Sequence, residues 1–447
     1  MVRTIRSMAI SGRSPRIALA QQGGLVYSDD YLDGWKWGFE KIGCEVREWD
    51  ITQLHNIPLS RNTIYSSRNW GDMPRGISRQ IIEWRPDLVF VHHGRYGIHL
   101  CQFMKEAGIP IACYLCDEPY EVGETILYSP SYSHVFTMDA CTLGIHSGLR
   151  KDGNAFYLLP GVNADRFNPG LNNSGGELDG VFLGNASLVP RPSFFRYLER
   201  EANGKANIGI YYWNTVNKQH PNWIGLDKYP SLLASANIGL NVHRSPSITE
   251  DCFRKRVMSG RVAKMVLPNG FQFCRTPPKE WGTGFWNDLD LPASHVNPRF
   301  FETGALGVFQ ISDASRSELL RLFPESVTAS TPEEFTEKFL YFLEHAEERE
   351  ERAKQCCDLI LSRHTYRHRC AEILLRVGLW ESIPESLSSS LGPQEDWMHT
   401  QNLVSLPEIL SSEQIGHSNS SIQPISKSLT PTSGITKPPE LPTVRRL

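Results

Sequence analysis

The stretch NPRFFETGALGVFQISD, residues 297–313, sets a carboxylate among side chains that belong in a core. Phe300, Phe301, Ala305, Leu306, Val308, Phe309 and Ile311 are apolar, yet Arg299 and Glu302 sit among them. Asn297 can cap a helix here and Pro298 fits its first position. Glu302 then lies in the second turn, three residues after Arg299, and Gly304 and Gly307 keep the helix slim. A charge in such a place is costly unless it is paired or used. Glu302 therefore holds a ligand, or it simply pairs with Arg299 on the helix surface.

Outward from this stretch the chain alternates between strand-like and helix-like segments. RIALAQ (16–21), EVREWD, DLVFVHH (87–93), IPIACYL, HVFTMD and AFYLLP read as strands, with helical segments such as SDDYLDGWKWGFEKIG between the earlier ones. Apolar strands interleaved with helices imply a parallel sheet covered on both faces. A Gly/Asn-rich patch, NPGLNNSGGELDG, interrupts the alternation, which restarts at GVFLG (180–184). The expected organisation is a ragged N-terminus (1–15), a first Rossmann-like domain (16–167), a linker (168–180), a second domain (181–366) with an insertion at 246–293, a crossover helix (367–384) and a tail (385–447). The tail is rich in Ser, Pro, Thr, Gly and Gln, cannot bury a core, and is expected to be disordered; it suits recruitment of a protein partner.

The bulk numbers fit this division. A chain of 447 residues is too long for one ordinary core. It is 40% hydrophobic and 21% charged with a net charge of −3, which gives no argument for a nucleic-acid or membrane surface. No apolar run approaches the roughly 20 residues that span a bilayer. The basic start lacks a secretory pattern, so the expected location is cytoplasmic. Of the ten cysteines, Cys113 and Cys116 form a lone CxxC within a strand-like run. A buried structural pair is expected there, and no metal site.

In open parallel sheets ligands bind past the carboxyl ends of strands. After the first strand, Gly23 and Gly24 would let backbone amides approach a phosphate, or form an ordinary turn. After the third come His92 and His93, and after the fourth Asp117 and Glu118, which could act as base, acceptor ligand or helix cap. Of these, His92 and Asp117 are the catalytic candidates. In the second half, Asn185 and Ser187 with Arg191 suit a diphosphate, although Arg191 also reads as a surface arginine. His364 and His368 are spaced i, i+4, which fits capping or packing better than a metal without a third ligand.

These segments resemble a known family. LPGVNADRFNP (159–169) resembles the segment that closes the N-terminal domain of retaining GT-B glycosyltransferases, and residues 297–313 resemble their donor-binding helix. Residues 331–369 resemble the C-terminal end of the CgeB-like (spore maturation protein-like) glycosyltransferases, and CYLCDEPYE (113–121) is similar to their Asp-Asp-Pro segment. The resemblance implies a GT-B architecture: two Rossmann-like parallel-sheet domains facing a cleft. It implies a metal-independent, hexosyltransferase-type enzyme, with no cofactor, that uses a nucleotide-sugar donor and an unknown acceptor. Glu302 would accept hydrogen bonds from the donor ribose, and Arg191, Arg299 and the 185–187 loop would hold its diphosphate. Many retaining relatives carry a second acid eight positions before this Glu; here that position is Ser294. The competing readings are a GT-B-fold scaffold without turnover and a nucleotide-sugar epimerase.

Overall fold

The computed structural model describes residues 13–21, 28–56, 72–95, 97–171, 176–186, 188, 190–212, 220–246, 263–266, 272–275, 287 and 291–398. The first sheet is built from β1 (Arg16–Gln21), β2 (Glu45–Asp50), β3 (Leu88–His92), β4 (Ile111–Leu115), β5 (His134–Thr137) and β6 (Ala155–Tyr157). Its order is β2-β1-β3-β4-β5-β6 and every pair is parallel. Every residue of β3 and β4 is buried. Alternate side chains therefore feed two cores: Leu88, Phe90 and Tyr114 join Trp35 and Phe39, while Val89, Val91 and Cys113 join Met104 and Tyr128.

The second sheet uses β7 (Leu178–Leu183), β8 (Ile208–Tyr211), β9 (Ala236–Asn241), β12 (Phe309–Asp313) and β13 (Val327–Ala329). Its order is β13-β12-β9-β7-β8, again all parallel. Within the region expected as an insertion, β10 (Ala263–Val266) and β11 (Gln272–Arg275) form an antiparallel pair. The helix Pro298–Ala305 begins as expected: Asn297 Oδ1 accepts from Phe300 N at 3.0 Å, and Pro298 occupies the first turn. A Cβ on Gly304 would sit 2.4 Å from Ile360 Cδ1, so any larger residue would have to push that side chain of the packed helix Ala346–Arg363 aside.

The chain crosses between the two sheets twice, and the crossings touch. Val162 N donates to His364 O at 3.1 Å and Tyr366 N donates to Val162 O at 3.0 Å. Gly161 permits this, because a Cβ there would lie 2.7 Å from Tyr366 N. Thr365 and His368 form a capping box that starts the helix Tyr366–Arg376, so the capping reading of His368 holds. This helix returns to the first domain, where Tyr366, Cys370 and Ile373 join the core around Trp35.

Ordered structure continues past residue 384, where composition placed the start of a disordered tail. Short helices cover Glu385–Ser389 and Gln394–Trp397. Leu391 and Trp397 are buried in the core around Trp35, with Leu387 and Met398 packed beside them. Average composition hides a few well-spaced apolar residues that each find a place on an existing surface. Gly23, Gly24 and Ser187 lie outside the described residues, as does the chain from 399 on.

Candidate active site

The carboxyl ends of the two sheets supply different chemistry. On the second, His243 and Arg244 follow β9 after one residue, Val242. Asp313, the last residue of β12, accepts from His243 N at 2.5 Å and lies 2.8 Å from His243 Nδ1. Burial outweighs this carboxylate and lowers His243 to about 4, so the imidazole is neutral and donates from Nδ1. The pair fixes the exit of β9, from which Arg244 reaches across to the first domain. Its guanidinium donates to Asp117 Oδ1 at 2.9 Å and lies 3.5 Å from the centre of the Tyr120 ring. Arg316 donates to Tyr120 Oη and to Arg244 O, both at 2.7 Å.

Arg191 is half-buried and tied to backbone carbonyls rather than free on the surface. Its Nε donates to Val242 O at 2.7 Å and its Nη1 to Asn185 O at 2.9 Å. Burial, and then the charges of Arg244 and Arg299, lower it to about 9. Part of its capacity thus ties the loop after β7 to β9, while its charge stays near Arg244 and Arg299. Arg299 donates to Tyr229 Oη and lies 3.6 Å from Glu302. The structure therefore contains the simple Arg299–Glu302 pair, but Glu302 is buried, which a surface pair does not require. Three arginines and the N-terminus of an eight-residue helix make this edge electropositive.

The first domain presents acids. Burial acts to raise Asp117, but Arg244 and His93 outweigh it and hold the carboxylate below its usual range. His93 has φ +57, a conformation uncommon outside glycine. Its Nε2 lies 3.0 Å from Glu121 Oε2 and 3.9 Å from Asp117 Oδ2. Burial opposes a charge on His93, yet Glu121 and Asp117 prevail and raise it to about 9. His92 points elsewhere: Trp35 Nε1 donates to its Nδ1 at 3.2 Å, and the ring stacks near Tyr114. Burial, then the neighbouring His93, lower His92 to about 3. A neutral, buried His92 is a weak base, so His93 replaces it as the histidine beside Asp117. Glu118 is fully buried, bonded to Thr125 and 3.2 Å from His146, and serves the fold of its own loop.

A second cluster joins the domains. Ser294 N and His295 N donate to Asp139 Oδ2 at 2.8 and 3.2 Å, and His295 Nδ1 lies 2.8 Å from the same oxygen. Ser294 Oγ lies between Asp139 Oδ1 at 2.9 Å and Glu318 Oε1 at 2.8 Å, and Tyr157 Oη donates to Glu318 Oε2. Burial and the charge of Asp139 raise Glu318 to about 7. A protonated Glu318 donates to Ser294 Oγ, which passes its own hydrogen to Asp139. Ser294, which stands where relatives carry an acid, is thus satisfied by two acids from elsewhere.

Residues 286–375 match the glycosyl transferase-like family. Sucrose-phosphate synthase from Thermosynechococcus elongatus superposes with a TM-score of 0.50 at 9% identity, over 80% of this chain and 97% of that one. The fold is GT-B. The Anabaena protein Alr3699/HepE, solved in complex with UDP-glucose, superposes at a TM-score of 0.49 with 11% identity, over 80% of this chain and 99% of that one. No curated protein matches the sequence significantly. In a GT-B fold the arginine-rich edge and the acidic edge are the two walls of one cleft. Among the described residues no helix is long and apolar enough to cross a membrane.

Arg244, His243 and Asp139 escaped the sequence reading. Arg244 carried a usable signal, because it stands three residues beyond the apolar strand NIGLN.

Proposed function

We propose that this chain transfers a sugar, hexosyltransferase-type, from a nucleoside-diphosphate donor to an acceptor. The observation that carries the reading is the arginine cluster around the capped helix Pro298–Ala305, with buried Glu302 on that same helix. A carboxylate offers two acceptor oxygens to a ribose diol. Arg244 and Arg299, backed by the charge of Arg191, would neutralise the leaving diphosphate, so the transfer itself would need no metal at that point. The family match over 286–375 supports the activity, and the UDP-glucose bound by the Anabaena neighbour is an example of the donor class. Asp117 is the candidate acceptor-side group, supported by its place opposite Arg244. On this reading the chain is a CgeB-like enzyme acting in the cytoplasm, with its Ser/Pro-rich tail open to a protein partner.

The reading is tested by calorimetry against a panel of nucleoside diphosphates, followed by product analysis with the sugar nucleotide that binds. A single preferred nucleotide and an acceptor-linked sugar are expected. Isomerised free sugar would assign the cleft to epimerisation, and no nucleotide binding would remove it from both classes.

A further inference from the structure

The loops after β3 and β4 bring together one nitrogen, one sulfur and one carboxylate oxygen. His93 Nε2, Cys116 Sγ and Asp117 Oδ2 all lie within 4.8 Å of one another. His93 Nε2 to Asp117 Oδ2 is 3.9 Å, and Cys116 Sγ to Asp117 Oδ2 is 4.0 Å. Glu121 Oε2 lies 3.0 Å from His93 Nε2 but outside this three-donor group, and a side-chain rotation would be needed to bring it in as a fourth donor. A tetrahedral zinc ion with bonds of about 2.0–2.3 Å spaces its donors roughly 3.3–3.8 Å apart. The separations of 3.9 and 4.0 Å exceed the upper end of that range by a few tenths of an ångström, and side-chain rotation would have to draw the sulfur and the imidazole together.

We propose that His93, Cys116 and Asp117, with Glu121 drawn in as a fourth ligand, form a binding site for a zinc-class divalent transition metal. The donor set selects the class, because thiolate with imidazole favours zinc over magnesium or calcium. Local charge agrees: a thiolate and two carboxylates around a divalent ion leave one net negative charge. Arg244, held on Asp117 Oδ1 away from the metal-facing Oδ2, cancels it. Its bond also orients the ligating carboxylate, as outer-shell partners of metal sites do. Metal binding displaces the proton that His93 Nε2 shares with Glu121 and the thiol proton of Cys116, and both pass to solvent. The left-handed backbone at His93 is what turns its ring toward the other donors, whereas His92 follows the strand into the core.

The expectation about the CxxC pair is thereby divided. Cys113 is a core residue packed with Val91 and Tyr128, and Cys116 is half-buried beside Asp117. Residues three apart along extended chain point to opposite faces, so the two sulfurs do not act together.

Metal binding can be read without any sugar transfer. The full-length chain, stripped with a chelator, is titrated with Co²⁺ and followed by its thiolate-to-cobalt charge-transfer absorption, then with Zn²⁺ by competition and elemental analysis. One equivalent, a tetrahedral cobalt spectrum and a raised melting temperature are expected. Cys116→Ser should abolish the charge-transfer band and weaken zinc by about 100-fold or more, while Cys356→Ser keeps both. Asp117→Asn and Glu121→Gln, which keep the side-chain shape, should weaken zinc by about 10-fold or more, with cooperative melts in the stripped state showing that both variants fold. A band that survives Cys116→Ser, binding insensitive to both carboxamide variants, or no stoichiometric uptake would each overturn the site.

Discussion

The two walls of the cleft are made from the same kind of element, a loop leaving a buried parallel strand, yet they carry opposite charge. After β9 the chain places Arg244, with Arg191 and Arg299 near it, and their mutual repulsion is tolerated in a partly buried site. After β4 it places Asp117 and, four residues on, Glu121, with His93 between them as a cation. Two like-charged clusters are each costly alone, and the Arg244–Asp117 contact is where each offsets the other. The difference teaches that the site is a property of the pair of domains. Neither wall is electrostatically complete without its opposite.

The strongest way to break this comparison is at the contact itself. Asp117→Ala should lower turnover by roughly 10²–10⁴, the range for a lost acid–base or positioning group, while nucleotide affinity changes little. Calorimetry and steady-state rates on the same variant separate the two quantities. Turnover that persists while affinity collapses would assign the donor to the acidic wall. Truncation after residue 384 should be nearly as severe for stability. Removing buried Leu391 and Trp397 strips the core that anchors the returning helix, and a loss of about 3–5 kcal/mol is expected in denaturant melts. An unchanged midpoint would show that the 385–398 segment adds nothing.

Glu302→Ala tests the opposite wall, with an expected loss of about 1.5–3 kcal/mol in nucleoside-diphosphate affinity. An unchanged dissociation constant in a folded variant removes Glu302 from the donor site. The smallest effect is expected at Glu318, raised from 4.5 to about 7. The folded state binds this proton more tightly than the unfolded chain, so the stabilisation is complete below about pH 4.5 and lost as pH rises through about 7. Glu318→Gln should therefore lack that component and gain on the wild type in melts above pH 7. Parallel stability–pH curves for the two proteins would show that Glu318 is not held protonated.

Much of the architecture was legible in the sequence because burial on both faces writes continuous apolar strands, and because the Asn297–Pro298 start is a local signal. The choice between His92 and His93 failed for a reason of period. Leu88, Phe90 and His92 are spaced by two, so His92 belongs to the core face of β3, and only the departure of His93 from strand geometry frees its ring. The Asp139–Ser294–Glu318 cluster was illegible because its members are 155 and 24 residues apart and meet only when both domains are built. Arg191 was read for its charge, while its hydrogen bonds go to carbonyls that no sequence motif announces.

The paired crossings at Val162 and Thr365 have a mechanical consequence. Two strands bonded side by side behave as a strap with two pins, and the domains on either end inherit its freedoms. Bending about the line through both pins leaves these two hydrogen bonds intact, but it strains the buried Asp139–Ser294–Glu318 cluster that also joins the domains. Sliding one strand past the other, or twisting the domains apart, breaks bonds worth about 0.5–1.5 kcal/mol each and drives the Tyr366 backbone against Gly161. The paired crossing and the buried cluster are therefore two separate ties, and together they hold Arg244 and Asp117 in register.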